Sequence, residues 1–196
     1  MIEDSGKPKI FWNYFLALED DLCTISRYIE FNKDNDGTYS IELVRLLLAS
    51  SSEVDVVLKE LCKLLDENFN SENSDINDYK VVIKSKIQEF TKEKVYLKRY
   101  ERILSPWQNW DSECNPDWWR GYNNVKHHRT QHFDDAKLNY VLNSMAGLLV
   151  SVFYYYKLLF SQETKPKNND EVIRQLKPNS NLLFLDEKYY PNYLIV

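Results

Sequence analysis

The sequence predicts a mainly α chain: an antiparallel four- or five-helix bundle with, at most, a small two-stranded β element. Three observations carry that expectation. Apolar residues recur at three- and four-residue spacing over several long stretches, which places them on one face of a helix. Only four glycines and six prolines punctuate 196 residues, favouring long elements over many short ones. Hydrophobic residues make up 43% of the chain and aromatics 14%, enough apolar surface to offset conformational entropy in one core. The expected organisation is a helical bundle over residues 1–168 and a C-terminal extension over 169–196 that packs back on it.

The first helix is predicted from Ile10 to Phe31, with Phe15, Leu18, Leu22, Ile25 and Ile29 facing inward. A polar loop, NKDNDGTYS, follows, and Ser40 is placed to cap the second helix. That helix runs from Ile41 to Glu67, and Ser50, Ser51 and Ser52 in its middle mark either a kink or the close approach of a neighbour. The polar run Asn68 to Asp78 separates it from a third helix over Tyr79 to Glu93. Between Lys94 and Leu104, Val, Tyr and Ile interleave with charged residues, which favours extended structure, and the C-terminal segment is a strand partner for it. Residues 105–114 read as irregular. Asn115 as N-cap, Pro116 at the first helical position and Asp117 at the positive end of the dipole open a helix reaching Arg129. A long apolar helix from Phe133 to Phe160, a polar linker and the apolar piece NLLFLDEKYYPNYLIV complete the chain.

The net charge of −5 makes the molecule as a whole repel nucleic acid and anionic membrane, so any anion binding must be local. Cys23, Cys62 and Cys114 are odd in number and form no C-x-x-C pair; Cys23 and Cys62 read as small core residues. The N-terminus lacks the build of a secretory signal, which predicts a cytoplasmic protein. The apolar run Met145 to Phe160 is short for a bilayer span, and no membrane partner is expected.

Against this acidic background stands one basic island, NPDWWRGYNNVKHHRTQH, from Asn115 to His132. It holds all three histidines of the chain, with Arg120, Lys126 and Arg129, and no carboxylate lies between Trp118 and Phe133. At about 100° per residue, Arg120 and His127 project within about 20° of each other and Asn124 within about 40° of Arg120. Tyr122, Val125 and Arg129 fall towards the opposite side, where Tyr122 and Val125 are placed to pack on the bundle. A guanidinium, an amide and an imidazole on one face suit phosphodiester chemistry. Histidine moves a proton near neutrality and arginine holds phosphate oxygens. In RNA the neighbouring 2′-hydroxyl is the nucleophile, so neither a metal nor another cofactor is called for.

Arg120-x6-His127 on a late helix resembles the R-x4-6-H motif of the HEPN superfamily (higher eukaryotes and prokaryotes nucleotide-binding domain). The wider string WWRGYNNVKHHR, followed by Phe133, Ala136, Leu138 and a long apolar helix, looks like a bacterial group within or near that superfamily. The resemblance implies a helical bundle, often homodimeric with two motif helices facing one another. It also implies a metal-independent endoribonuclease, or a relative that binds RNA or nucleotide, in toxin or defence roles. Arg120 and His127 carry over as phosphate binder and acid/base, with Asn123, Asn124, Lys126, His128 and Arg129 as substrate-binding residues. Expected partners are RNA, a second copy of the chain, or a protein such as an antitoxin, toxin or nucleotidyltransferase. Catalytic members usually follow the arginine with Asn, Asp or His; here Gly121 stands there, and Asn123 or Asn124 would have to supply the polar group.

Other readings attach to the same residues. Arg120, Asn124 and His127 suit equally a hydrogen-bonded seam in a non-catalytic interaction module. His128 and His132 have the i, i+4 spacing of metal ligands, with no third ligand at a matching position. Trp107, Trp110, Trp118 and Trp119 either stack on bases or cap the end of the bundle, and capping is the expectation.

Overall fold

The computed structural model describes residues 8–163 and 168–190, and these form six α-helices and one small antiparallel hairpin. The helices are α1 (Ile10–Ile25), α2 (Ile41–Leu65), α3 (Ile76–Lys86), α4 (Asp117–His128), α5 (Leu138–Glu163) and α6 (Asn169–Gln175). Strands β1 (Val95–Leu97) and β2 (Arg102–Leu104) lie between α3 and α4. The mainly α expectation and the small β element both hold.

The two longest helices, α2 and α5, pack lengthwise and form the axis of the fold; α1 and α4 each lie against both. Leu43, Leu47, Val54, Leu58 and Leu61 of α2 meet a core that includes Leu142, Met145, Leu149 and Val152 of α5, all of them 2% exposed or less. Each such side chain contributes roughly 1.5–3 kcal/mol on burial. The serine stretch of α2 marks a close approach of its neighbour. Buried Ser50 donates or accepts a 2.7 Å hydrogen bond with Ser144 of α5, and Ser50 also bonds the Leu46 carbonyl at 2.7 Å. Small side chains let the backbones come near, and the hydroxyls satisfy one another.

Helix boundaries depart from the periodicity where side chains capture the backbone. Ser40 caps α2 by accepting from the Leu43 amide. The first helix stops at Ile25, six residues early, where Thr24 donates to the Asp20 carbonyl and Ser26 to the Cys23 carbonyl. Such bonds compete with helix continuation. The third helix starts earlier than its apolar pattern, because Asp75 and Asp78 form a capping box, and it ends at Lys86 before a short 3-10 turn. Pro116, not Asn115, occupies the N-cap position of α4; the Asn115 amide donates instead to Asn77 Oδ1. The long apolar helix begins at Leu138, after a 3-10 turn over Phe133–Asp135. It is long and apolar enough to cross a membrane by length and composition, contrary to the shorter run read from sequence, yet its most apolar stretch is mostly buried inside the bundle.

Residues 94–104 are extended, but they pair chiefly with themselves. Val95 faces Leu104 and Leu97 faces Arg102, around a turn in which Glu101 takes φ 50°. Among the described residues the C-terminal segment joins by one antiparallel bridge, Tyr96 to Phe184, with bonds of 2.7 and 3.0 Å. What anchors that segment is Glu19 of α1, a carboxylate only 1% exposed. It accepts from the Asn181, Leu182 and Leu183 amides at 2.9–3.1 Å and from the Ser180 hydroxyl. Trp12 adds a bond to the Pro178 carbonyl at 2.9 Å, and Leu182, Leu183, Leu185 and Tyr189 are buried. Part of the expected linker is α6, whose Asn168 and Glu171 make a second capping box. Residues 164–167 of that linker, and the last six of the apolar C-terminal piece, lie outside the described residues.

Candidate functional site

Helix α4 is held from beneath by aromatic packing. Trp107 and Trp110 are fully buried, Trp118 and Trp119 nearly so. Ring centroids stand 4.4 Å apart for Trp107 and Trp110, and 5.3 Å for Trp107 and Trp118. The Trp118 indole donates to the Pro106 carbonyl at 2.9 Å and that of Trp107 to Gly147 at 3.3 Å. Trp107 and Trp110 fill the core and present no face to a nucleobase, and of the four only Trp119 reaches the groove beside Arg120. Tyr122 and Val125 are buried with them, as the helical angles predict.

Gly121 is buried where α4 crosses the start of α5. A Cβ on it would stand 2.5 Å from Tyr140 Cδ2 and 3.3 Å from the Asp135 carbonyl oxygen. The residue after Arg120 therefore faces the neighbouring helix, and no polar side chain fits there. The departure from the expected polar residue has a packing cause.

On the opposite side, Arg120, Lys126, His127, His128 and Arg129 are exposed, while Asn123 and Asn124 are half-buried. Arg120 and His127 thus share an exposed face, yet they differ in surroundings. Arg120, Asn123 and Asn124 line a groove of about 660 Å³ together with Asp55, Asn77, Asn115 and Trp119. His127 does not line it, and it makes no hydrogen bond or ion pair among the described residues. Seven positions of helix separate Arg120 and His127 by about 10 Å along the axis. Arg120, 70% exposed, pairs with Asp117 Oδ1 at 2.8 Å, on the side away from His127. Asn124 donates to Asp135 Oδ2 at 2.8 Å, and His132 Nδ1 stands 3.3 Å from the same oxygen. Asn123 donates to the Trp119 carbonyl at 3.1 Å. Lys126 lies over the Tyr122 ring, 5.3 Å from its centroid.

The carboxylate-free appearance of the island is lost on folding. Asp117, Asp135, Asp55 and Asp75 all border the basic face or its groove. Each has an intramolecular partner: Asp55 accepts from the Tyr79 hydroxyl at 3.1 Å, and Asp75 caps α3. The i, i+3 relation of Asp117 to Arg120 was legible on a helix. Asp135, three residues after His132, lies beyond the end of α4, where helical angles no longer place a side chain. Asp55, Asp75 and Asn77 arrive from other elements and left no sequence signal.

His128 and His132 are neighbours, with ring centroids 6.4 Å apart, but among the described residues no group of three or more His, Cys, Asp and Glu could hold a metal ion. Cys62 is buried, which pushes its thiol up to about 12; Cys23 is half-buried and Cys114 exposed. No family model, curated protein or solved structure matches the chain.

Proposed function

We propose that the chain is a HEPN-like, RNA-handling protein whose α4 face holds phosphates with Arg120 and transfers protons with His127. In its active form it is a metal-independent endoribonuclease of a toxin or defence system. The observation that supports this reading is the exposure of both residues on one helix face: neither is locked into the core. Arg120, with a single partner through one surface carboxylate, is free to exchange Asp117 for a phosphate. Asn123 and Asn124 border the same groove and offer amides to the ribose or base, and Lys126, His128 and Arg129 add positive charge beyond it. A second copy with its α4 facing this one would pool the groups of both and shorten the distance between guanidinium and imidazole.

A second reading has its own support. Gly121 packed on Tyr140 and the carboxylates lining the groove both weaken anion chemistry, which favours a non-catalytic interaction module whose Arg120 and Asn124 bonds orient surface loops.

One experiment separates the two. Total RNA is incubated in chelator with wild type, Arg120→Ala and His127→Ala, and binding is followed in parallel by mobility shift. The catalytic reading expects cleavage by wild type only, with His127→Ala retaining RNA binding and Arg120→Ala weakening it. Intact RNA with all three proteins at high concentration rejects the nuclease, and absence of any shift rejects RNA handling altogether.

A further inference from the structure

A separate surface lies between α1 and α2, where a groove of about 810 Å³ runs along both helices. Its floor is apolar: Leu18, Ile25 and Leu46 are 3–7% exposed. The groove stays open because Ala17, Ala49 and Ser52 leave space above that floor. Tyr14 and Tyr28 form part of its rim, 43% and 83% exposed. Ile10, four residues before Tyr14, and Val56, four after Ser52, continue the two faces at 68% and 42% exposure. From Tyr14 to Ile25, and from Glu42 to Glu53, the walls extend about 16 Å, the length of three helical turns.

The charges around this groove are unequal. Asp21, Glu42 and Glu53 face one cation, Arg45, which is already paired with Glu42. Asp21 and Glu53 have no hydrogen bond or ion pair among the described residues. Burial raises the Glu53 carboxyl above its ordinary range, the mark of a half-buried acid lacking a counter-charge.

We propose that the α1–α2 groove is a docking surface for a cationic amphipathic helix of a partner protein, with its apolar side chains over Leu18, Ile25 and Leu46 and its lysines or arginines on Asp21 and Glu53. Charge complementarity selects this occupant. An anionic or neutral helix would leave two carboxylates uncompensated in a partly apolar setting, whereas a basic helix supplies both missing partners. This surface shares no residue with the α4 face.

The test uses the full chain and two labelled helical peptides of about 14 residues, with identical leucine positions on one face and either lysine or glutamate on the other. Fluorescence anisotropy reads binding to wild type, Ser52→Trp, the double variant Asp21→Lys/Glu53→Lys, and Glu72→Lys as a charge control away from the groove. The expected result is saturable binding of the lysine peptide that weakens about tenfold or more in the first two variants, is unchanged by Glu72→Lys, and falls with salt. Equal binding of the two peptides, or indifference to Ser52→Trp, overturns the proposal. Sedimentation of the same proteins covers the remaining occupant: a wild-type dimer that Ser52→Trp dissociates assigns the groove to a second copy and overturns the foreign helix.

Discussion

Replacing Glu19 tests how the C-terminal segment is fastened to the bundle. The carboxylate is 1% exposed and faces four donors. Oε1 takes the Ser180 hydroxyl and the Leu182 and Leu183 amides, and Oε2 the Asn181 amide. In Glu19→Gln an oxygen can still serve the first three, but the bonds are no longer charge-assisted, a loss of about 1 kcal/mol each. The new NH2 meets the Asn181 N–H, donor against donor, which leaves that amide without an acceptor at a further cost of about 1–3 kcal/mol. Allowing for non-additivity, the loss should reach about 3–5 kcal/mol. Glu19→Ala, which strands the three backbone amides while the Ser180 hydroxyl keeps the Leu183 carbonyl, should cost at least as much. Urea unfolding measures the total, and hydrogen exchange at Leu182 and Leu183 locates it. A loss below about 1 kcal/mol in Glu19→Gln, with exchange at those two amides unchanged, would refute the account: the segment would then be held by its apolar contacts alone.

Three further outcomes are expected. Gly121→Asn, which places a polar side chain directly after Arg120, must displace Tyr140 and should lower stability by about 1–3 kcal/mol; trimming the obstacle with Tyr140→Ala in the same chain should recover part of it in a double-mutant cycle. Burial, with the carboxylate of Glu93 beside them, raises the Tyr154 and Tyr189 phenols far above their ordinary value. Their contribution is therefore fully present below about pH 10 and declines above it, as the unfolded chain ionises and the folded one does not, by at most about 1.4 kcal/mol per pH unit for each phenol. Absorbance at 295 nm should show those two tyrosinates only on unfolding. Ser144→Val removes one half of the buried Ser50–Ser144 contact and crowds α2 against α5, and a fall in the urea midpoint equivalent to about 1–3 kcal/mol checks it.

How much of this was legible in the chain differs between fold and site. Helical periodicity located α2 because it buries one continuous stripe, the long apolar run located α5, which is buried on all sides from Ser144 to Tyr154, and Ser40 announced the start of α2 by cap chemistry. The end of α1 was missed because it depends on Thr24 and Ser26 turning onto carbonyls, which apolar spacing does not register. At the candidate site, helix angles placed Arg120 and His127 on the exposed face and Tyr122 and Val125 in the core. What they did not supply was the neighbourhood. Asp135 on Asn124, and Asp55 with Asn77 across the groove from Arg120, come from elements distant along the chain or beyond the helix end.

By itself the sequence determined the helical class, the principal helices and the angular arrangement of the α4 side chains, since all three follow from local geometry that repeats along the chain. Only the tertiary structure decided that the tryptophans are core, that Gly121 is fixed by Tyr140, that carboxylates surround the basic island, and that a buried Glu19 holds the C-terminal segment. Those depend on which surfaces meet, and the meeting of surfaces is set by the packing of the whole chain, not by the spacing of residues within one helix.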